Sequence, residues 1–104
     1  MFKKIKKLLG IERPTDFKRL FESGAKIIDV RTPSEYSAGH IPDSVNIPLN
    51  LLSKRIVKIA KDQQIILCCA SGMRSSSARG ELLSMGYLNV YDGGRWNSLL
   101  AKIR

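Results

Sequence analysis

The sequence predicts an α/β domain built on a largely parallel sheet, and two observations lead there. Short runs rich in apolar and β-branched residues (26–30 KIIDV, 45–47 VNI, 65–68 IILC, 88–91 LNVY) alternate with segments whose apolar residues recur every three or four positions. That alternation is the mark of strands crossed over by helices. The length, 104 residues, suits one hydrophobic core and no more. An apolar content of 43% with 26% charged residues is that of a folded chain rather than a disordered one. No apolar run approaches the ~18–20 residues of a membrane span.

The elements follow in order. Phe2, Ile5, Leu8 and Leu9 recur at helical spacing among lysines, so residues 2–9 read as a short amphipathic helix closed by Gly10. This makes residues 1–10 a basic extension and 11–104 the domain proper. Thr15 or Asp16 caps a second helix to about Ser23, with Phe17, Leu20 and Phe21 on one face and Gly24 as its stop. Residues 26–30 are a buried strand. Pro33, Gly39 and Pro42 punctuate 31–44, which reads as turns with one helical turn at 34–38. A short strand at 45–47 precedes a helix over 49–60, marked by Leu52, Ile56 and Ile59. The run 65–68 is the most apolar strand, and a Ser/Gly loop follows it. Ala78, Leu82 and Met85 share a face of a helix over 76–85, with Gly86 as the left-handed residue past its end. A strand at 88–91, a break at Gly93-Gly94 and a helix over 96–103 complete the chain.

The charge is lopsided: 18 Lys and Arg against 9 Asp and Glu, a net +9. Lys3, Lys4, Lys6 and Lys7 stand at the start, most simply as a solvated helix face, with contact between residues 2–9 and a membrane surface as the sharper alternative. No zinc-finger spacing, RNP-like aromatic motif or helix-turn-helix accompanies the charge, so no nucleic-acid partner is expected. Cys68 and Cys69 are adjacent and His40 is the one histidine, which leaves no metal-ligand spacing and no ordinary disulfide. The N-terminus lacks the continuous apolar stretch of a secretory signal, so a reducing, cytoplasmic location is the expectation.

The informative segment is Cys69-Ala70-Ser71-Gly72-Met73-Arg74-Ser75. It follows the most buried strand and precedes a helix, and open α/β sheets place their sites at the carboxyl ends of strands. A tight loop there can aim successive backbone N–H groups at its own centre, with about +0.5 charge from the helix N-terminus and a full charge from Arg74. A Cys69 thiolate in such a bowl is stabilised and its pKa depressed. Gly72 admits the positive φ of an anion nest, Ala70 and Ser71 are small enough to leave room, and Ser71 and Ser75 can donate hydroxyls or cap the helix. With no base in the loop, activation of the nucleophile is electrostatic.

This loop, with Asp29-Val30-Arg31, Gly39-His40-Ile41-Pro42 and Asn46-Ile47-Pro48 before it and Gly93-Gly94 after it, resembles the rhodanese homology domain over about residues 15–100. The resemblance implies a central parallel five-stranded sheet with helices on both faces. It implies a sulfurtransferase in which Cys69 carries sulfur as a persulfide, taken from a small anionic donor such as thiosulfate and passed to cyanide or to a thiol, free or on a thioredoxin-like protein. On this reading Cys69 and Arg74 are catalytic, and Ala70, Ser71, Gly72, Met73 and Ser75 bind substrate. No metal or cofactor is implied. One arginine and no lysine make this loop less basic than that of some thiosulfate-using relatives.

Plainer readings stand beside these. Cys69 could be an inert buried thiol, though its position argues otherwise, and Cys68 reads as a core residue. Asp29 reads as satisfying backbone donors and Arg31 as pairing with Glu35 to fix a turn. His40 braces a loop, and Tyr91 and Trp96 pack near the site. A phosphatase or arsenate reductase would need Cys-x5-Arg around a tetrahedral oxyanion, whereas Cys69 to Arg74 is Cys-x4-Arg. A non-catalytic regulatory or sulfur-carrier module is the remaining alternative, against which the retained cysteine and arginine count.

Overall fold

A computed structural model of the protein describes residues 14–104. The helix expected over 2–9 lies outside the described residues. The elements are α1 (Phe17–Glu22), β1 (Lys26–Asp29), α2 (Pro33–Ala38), β2 (Val45–Asn46), α3 (Leu52–Arg55) flanked by 3-10 turns at Leu49–Leu51 and Ile56–Lys58, β3 (Ile65–Cys69), α4 (Met73–Ser84), β4 (Val90–Arg95) and α5 (Trp96–Ile103). The strands lie in the order β2-β1-β3-β4, and every neighbouring pair is parallel. Among the described residues the sheet therefore has four strands where five were implied. No helix among these residues is long and apolar enough to cross a membrane.

All five residues of β3 are buried, and the pleat sends alternate side chains to opposite sides. Ile65, Leu67 and Cys69 join Ile28, Val30, Leu52, Ile56, Ala78 and Leu82 in one core, beneath α3 and α4. Ile66 and Cys68 join Ile27, Ile41, Leu99 and Ile103 in the other, against α1 and α5. Helices thus cover both faces of a central strand that has no polar side.

The boundaries differ from expectation where local geometry overrides periodicity. Residues 49–58 form three short turns, not one helix, and the Tyr87 hydroxyl donates to the carbonyls of Ile56 at 2.7 Å and Ile59 at 2.9 Å. Helix α4 starts at Met73, three residues before the expected start at 76, because Gly72 turns the chain at φ +97°. It ends as foreseen: Gly86 stands at φ +91°, its N–H reaches the Leu83 carbonyl and the Tyr87 N–H the Leu82 carbonyl, each at 3.1 Å. Gly93-Gly94 lies inside β4 and does not break the chain. The register runs Leu67↔Asp92 and then Cys69↔Arg95, so β4 carries an extra residue, a bulge accommodated by Gly94 at φ +72°.

The strand order reverses between β1 and β3: the chain leaves β1 toward one edge and passes through β3 toward the other. Such a switch point opens a crevice at the carboxyl ends of the two strands. Asp29-Val30-Arg31 and Cys69-Ala70-Ser71 leave the sheet there.

Candidate functional site

Cys69 is the last residue of β3 and is 0% exposed, one place deeper than the loop mouth where the sequence put it. Its Sγ receives the Gly72 N–H at 3.0 Å and the Ser75 N–H at 3.3 Å. The left-handed Gly72 is what lets the loop fold its amide back over the sulfur. Ser75 is fully buried; its Oγ lies 3.4 Å from the sulfur and donates to the Gly72 carbonyl at 3.1 Å. A Cys69 thiol can donate to Oγ while that bond stands, and on ionisation the serine proton can turn to the sulfur. Burial alone pushes this thiol up, but the Ser75 hydroxyl and the amides of Ser75, Gly72 and Ser71 outweigh it, and Cys69 titrates below the ordinary thiol range.

Of the expected amide bowl, Ser71, Gly72 and Ser75 are the residues aimed at the sulfur. The Met73 N–H points instead toward the Ser71 Oγ at 3.5 Å, and the Met73 side chain is 77% exposed at the loop's tip. Arg74 does not close over the sulfur. Its guanidinium forks onto Glu35, Nη1 to Oε1 at 2.7 Å and Nη2 to Oε2 at 2.9 Å. The Glu35 carboxyl is also held by the cap of α2, where Oε1 accepts from the Thr32 N–H at 3.1 Å and the Thr32 hydroxyl at 3.0 Å. The Arg74 fork, with the Thr32 amide behind it, holds this carboxyl down to about 2.

Glu35 is therefore the partner of Arg74, and the expected Arg31–Glu35 ion pair is not formed. Arg31 instead donates Nε and Nη2 to the buried Asp29 carboxylate, with Nη2–Oδ2 at 2.7 Å. It also reaches the carbonyls of Glu35 at 3.3 Å and Gly39 at 2.7 Å, and its Cζ lies 4.9 Å from the centre of the Trp96 ring. Asp29 takes the Arg31 N–H at 3.0 Å as well, as expected of a carboxylate that satisfies backbone donors. The result is a staple binding the end of β1 to the middle of α2 and to its C-cap. His40 stacks on Tyr36 with ring centres 3.8 Å apart and its Nδ1 2.7 Å from the Tyr36 carbonyl oxygen, which is a brace. Cys68 lies on the opposite face of β3, where burial pushes its thiol well above the usual range.

Glu35 is the site residue the sequence did not assign correctly. A signal was present: Thr32-Pro33-Ser34-Glu35 is a capping box, which fixes where that carboxylate begins, though not which arginine it meets. Among the described residues no cluster of three or more His, Cys, Asp or Glu side chains could hold a metal ion.

Comparison with known proteins places this geometry. The model of the rhodanese-like domain family matches residues 13–95. A protein named sulfurtransferase from Allochromatium vinosum is 39% identical over 64 residues, 62% of this chain and 60% of its own length. The thiosulfate sulfurtransferase GlpE of Pseudomonas syringae pv. syringae is 36% identical over 90 residues, covering 77% of this chain and 85% of the relative. Among solved structures, a rhodanese with anions from E. coli superposes with a TM-score of 0.68 at 30% identity, covering 72% of this chain and 91% of that one. The human single-domain sulfurtransferase TSTD1 gives 0.73 at 26% identity, covering 88% and 98%.

Proposed function

The chain belongs to the rhodanese-like family, and on that premise we propose that it is a sulfurtransferase whose Cys69 shuttles sulfane sulfur as a persulfide. The observation that carries the reading is the convergence of the Gly72 and Ser75 amides on the Cys69 Sγ, at 3.0 and 3.3 Å. Those donors favour the thiolate without any side-chain base and suit a persulfide anion equally well.

With thiosulfate, the Cys69 thiolate attacks the sulfane sulfur; a new S–S bond forms as the S–SO3 bond breaks, and sulfite leaves with the electron pair. In the second half, cyanide or a thiolate attacks the outer sulfur of Cys69–S–S⁻, and the Cys69 thiolate departs into the same amides. Two displacements through one covalent intermediate give ping-pong kinetics. The loop's length supports sulfur over phosphate, because Cys-x4-Arg closes a smaller ring than a tetrahedral oxyanion needs. The expected acceptor in a cell is a thiol, free or on a thioredoxin-like protein.

The test is thiocyanate formation from thiosulfate and cyanide, run in parallel on the wild type and Cys69→Ser. Turnover that disappears in the variant agrees with the reading. A wild type no faster than buffer would leave the domain as a non-catalytic binding module.

A further inference from the structure

The arginine of the Cys69 loop is already paired, and its partner is held in place by a second set of bonds. Arg74 forks onto Glu35 at 2.7 and 2.9 Å, while Glu35 Oε1 is fixed by the Thr32 N–H and hydroxyl. We propose that Glu35 is a specificity-determining residue: it competes with the donor's anionic group for Arg74 and tilts the protein from dianionic donors such as thiosulfate toward sulfur carried on a thiol, as R–S–SH. This rests on the sulfurtransferase reading and names its donor class.

An incoming dianion must separate Arg74 from a carboxylate that the α2 cap also holds. The amides of Gly72 and Ser75 point at the sulfur itself rather than at a donor's anionic group. A persulfide donor has no sulfonate beside its sulfane sulfur for Arg74 to hold. The Cys69 thiolate attacks its outer sulfur, the new S–S bond forms as the old one breaks, and R–S⁻ leaves with the electron pair while the outer sulfur keeps its proton. Beside Arg74 lies a cleft of about 330 Å³ lined by Val30, Thr32, Pro48, Leu49, Asn50 and Arg74. Three of these are apolar and no second cation is among them, which suits the carbon body of a thiol carrier better than a sulfonate.

The experiment compares kcat/KM for thiosulfate with kcat/KM for glutathione persulfide. Glu35→Gln keeps the length and the capping-box chemistry but removes the charge. It should raise the thiosulfate-to-persulfide ratio about tenfold, chiefly by lowering KM for thiosulfate. Glu35→Asp, too short to fork, should move the ratio the same way, and this arm stands even if Glu35→Gln folds poorly. In an Arg74→Gln background the effect of Glu35→Gln should vanish. A ratio that neither variant moves overturns the role of Glu35. So does a rise that persists without Arg74, because another cation, such as Arg95 beside Cys69 in the sheet register, would then be holding the anion. A wild type that turns over neither donor overturns the sulfurtransferase reading itself.

Discussion

At the scale of single residues, the contrast between Cys68 and Cys69 follows from the pleat of one strand. Both are 0% exposed, yet Cys68 faces the apolar core beneath α1 and α5 while Cys69 faces the turn into α4. Cys69→Ser should abolish sulfur transfer, because a serine hydroxyl stays protonated near neutral pH and the loop holds no base. Cys68→Ser should keep most activity and cost stability by burying a hydroxyl, about 1–3 kcal/mol in urea unfolding. The Ser75 hydroxyl is one of the groups that lower the Cys69 pKa. The thiolate fraction rises as pH passes upward through that pKa, so Ser75→Ala should move the limb of Cys69 alkylation against pH to higher pH. An unmoved limb would mean that the hydroxyl does not stabilise the thiolate. Of this chemistry, the turn that brings the loop onto Cys69 and the positive φ at Gly72 were legible to within one residue, because a strand end, a glycine and a helix start are local signals. The Glu35–Arg74 pair was not, because 39 positions separate the two residues and only the tertiary fold decides which of two nearby arginines the carboxylate meets.

At the scale of elements, the site depends on two devices that hold strand ends. The Asp29–Arg31 pair is buried at 0% and 4% exposure and ties β1 to the middle and the C-cap of α2, which carries Glu35. Removing the charge of one buried partner leaves the other uncompensated, so Asp29→Asn should cost about 3 kcal/mol by chemical denaturation. A loss below about 1 kcal/mol would show that the staple is not structural. In β4, a Cβ at Gly93 would stand 2.8 Å from the Leu67 carbonyl oxygen and 2.8 Å from Leu99 Cδ2. Gly93→Ala should therefore destabilise by roughly 1–3 kcal/mol, since backbone cannot yield as a side-chain tip can. The sequence reading treated Gly93-Gly94 as a chain break because glycine pairs usually punctuate. A bulge read from one strand alone looks the same as a turn, and only the register of its neighbour tells them apart. The Schellman end of α4 was legible for the opposite reason: every group that makes it lies within six residues.

At the scale of the whole molecule, the strand order β2-β1-β3-β4 sets the reversal between β1 and β3, and so where the crevice opens. The alternation of strands and helices made the fold class readable, because a strand buried on both faces shows as an unbroken apolar run. The net charge of +9 acts at the same scale. A positive field raises the encounter rate of anions and is screened by salt. For thiosulfate, kcat/KM should fall several-fold as ionic strength rises from low to about physiological and beyond; for an uncharged thiol acceptor the slope should be shallow. Equal slopes would place the charge too far from the site to matter. The central claim, that sulfur rides on Cys69, is tested most directly by mass spectrometry of the protein after exposure to a sulfane-sulfur donor without reductant. The peptide spanning positions 68 and 69 should gain one sulfur in the wild type and in Cys68→Ser, lose it on cyanide treatment, and gain none in Cys69→Ser. A cyanide-labile sulfur on the Cys69→Ser protein, or none on the wild type, would contradict the account.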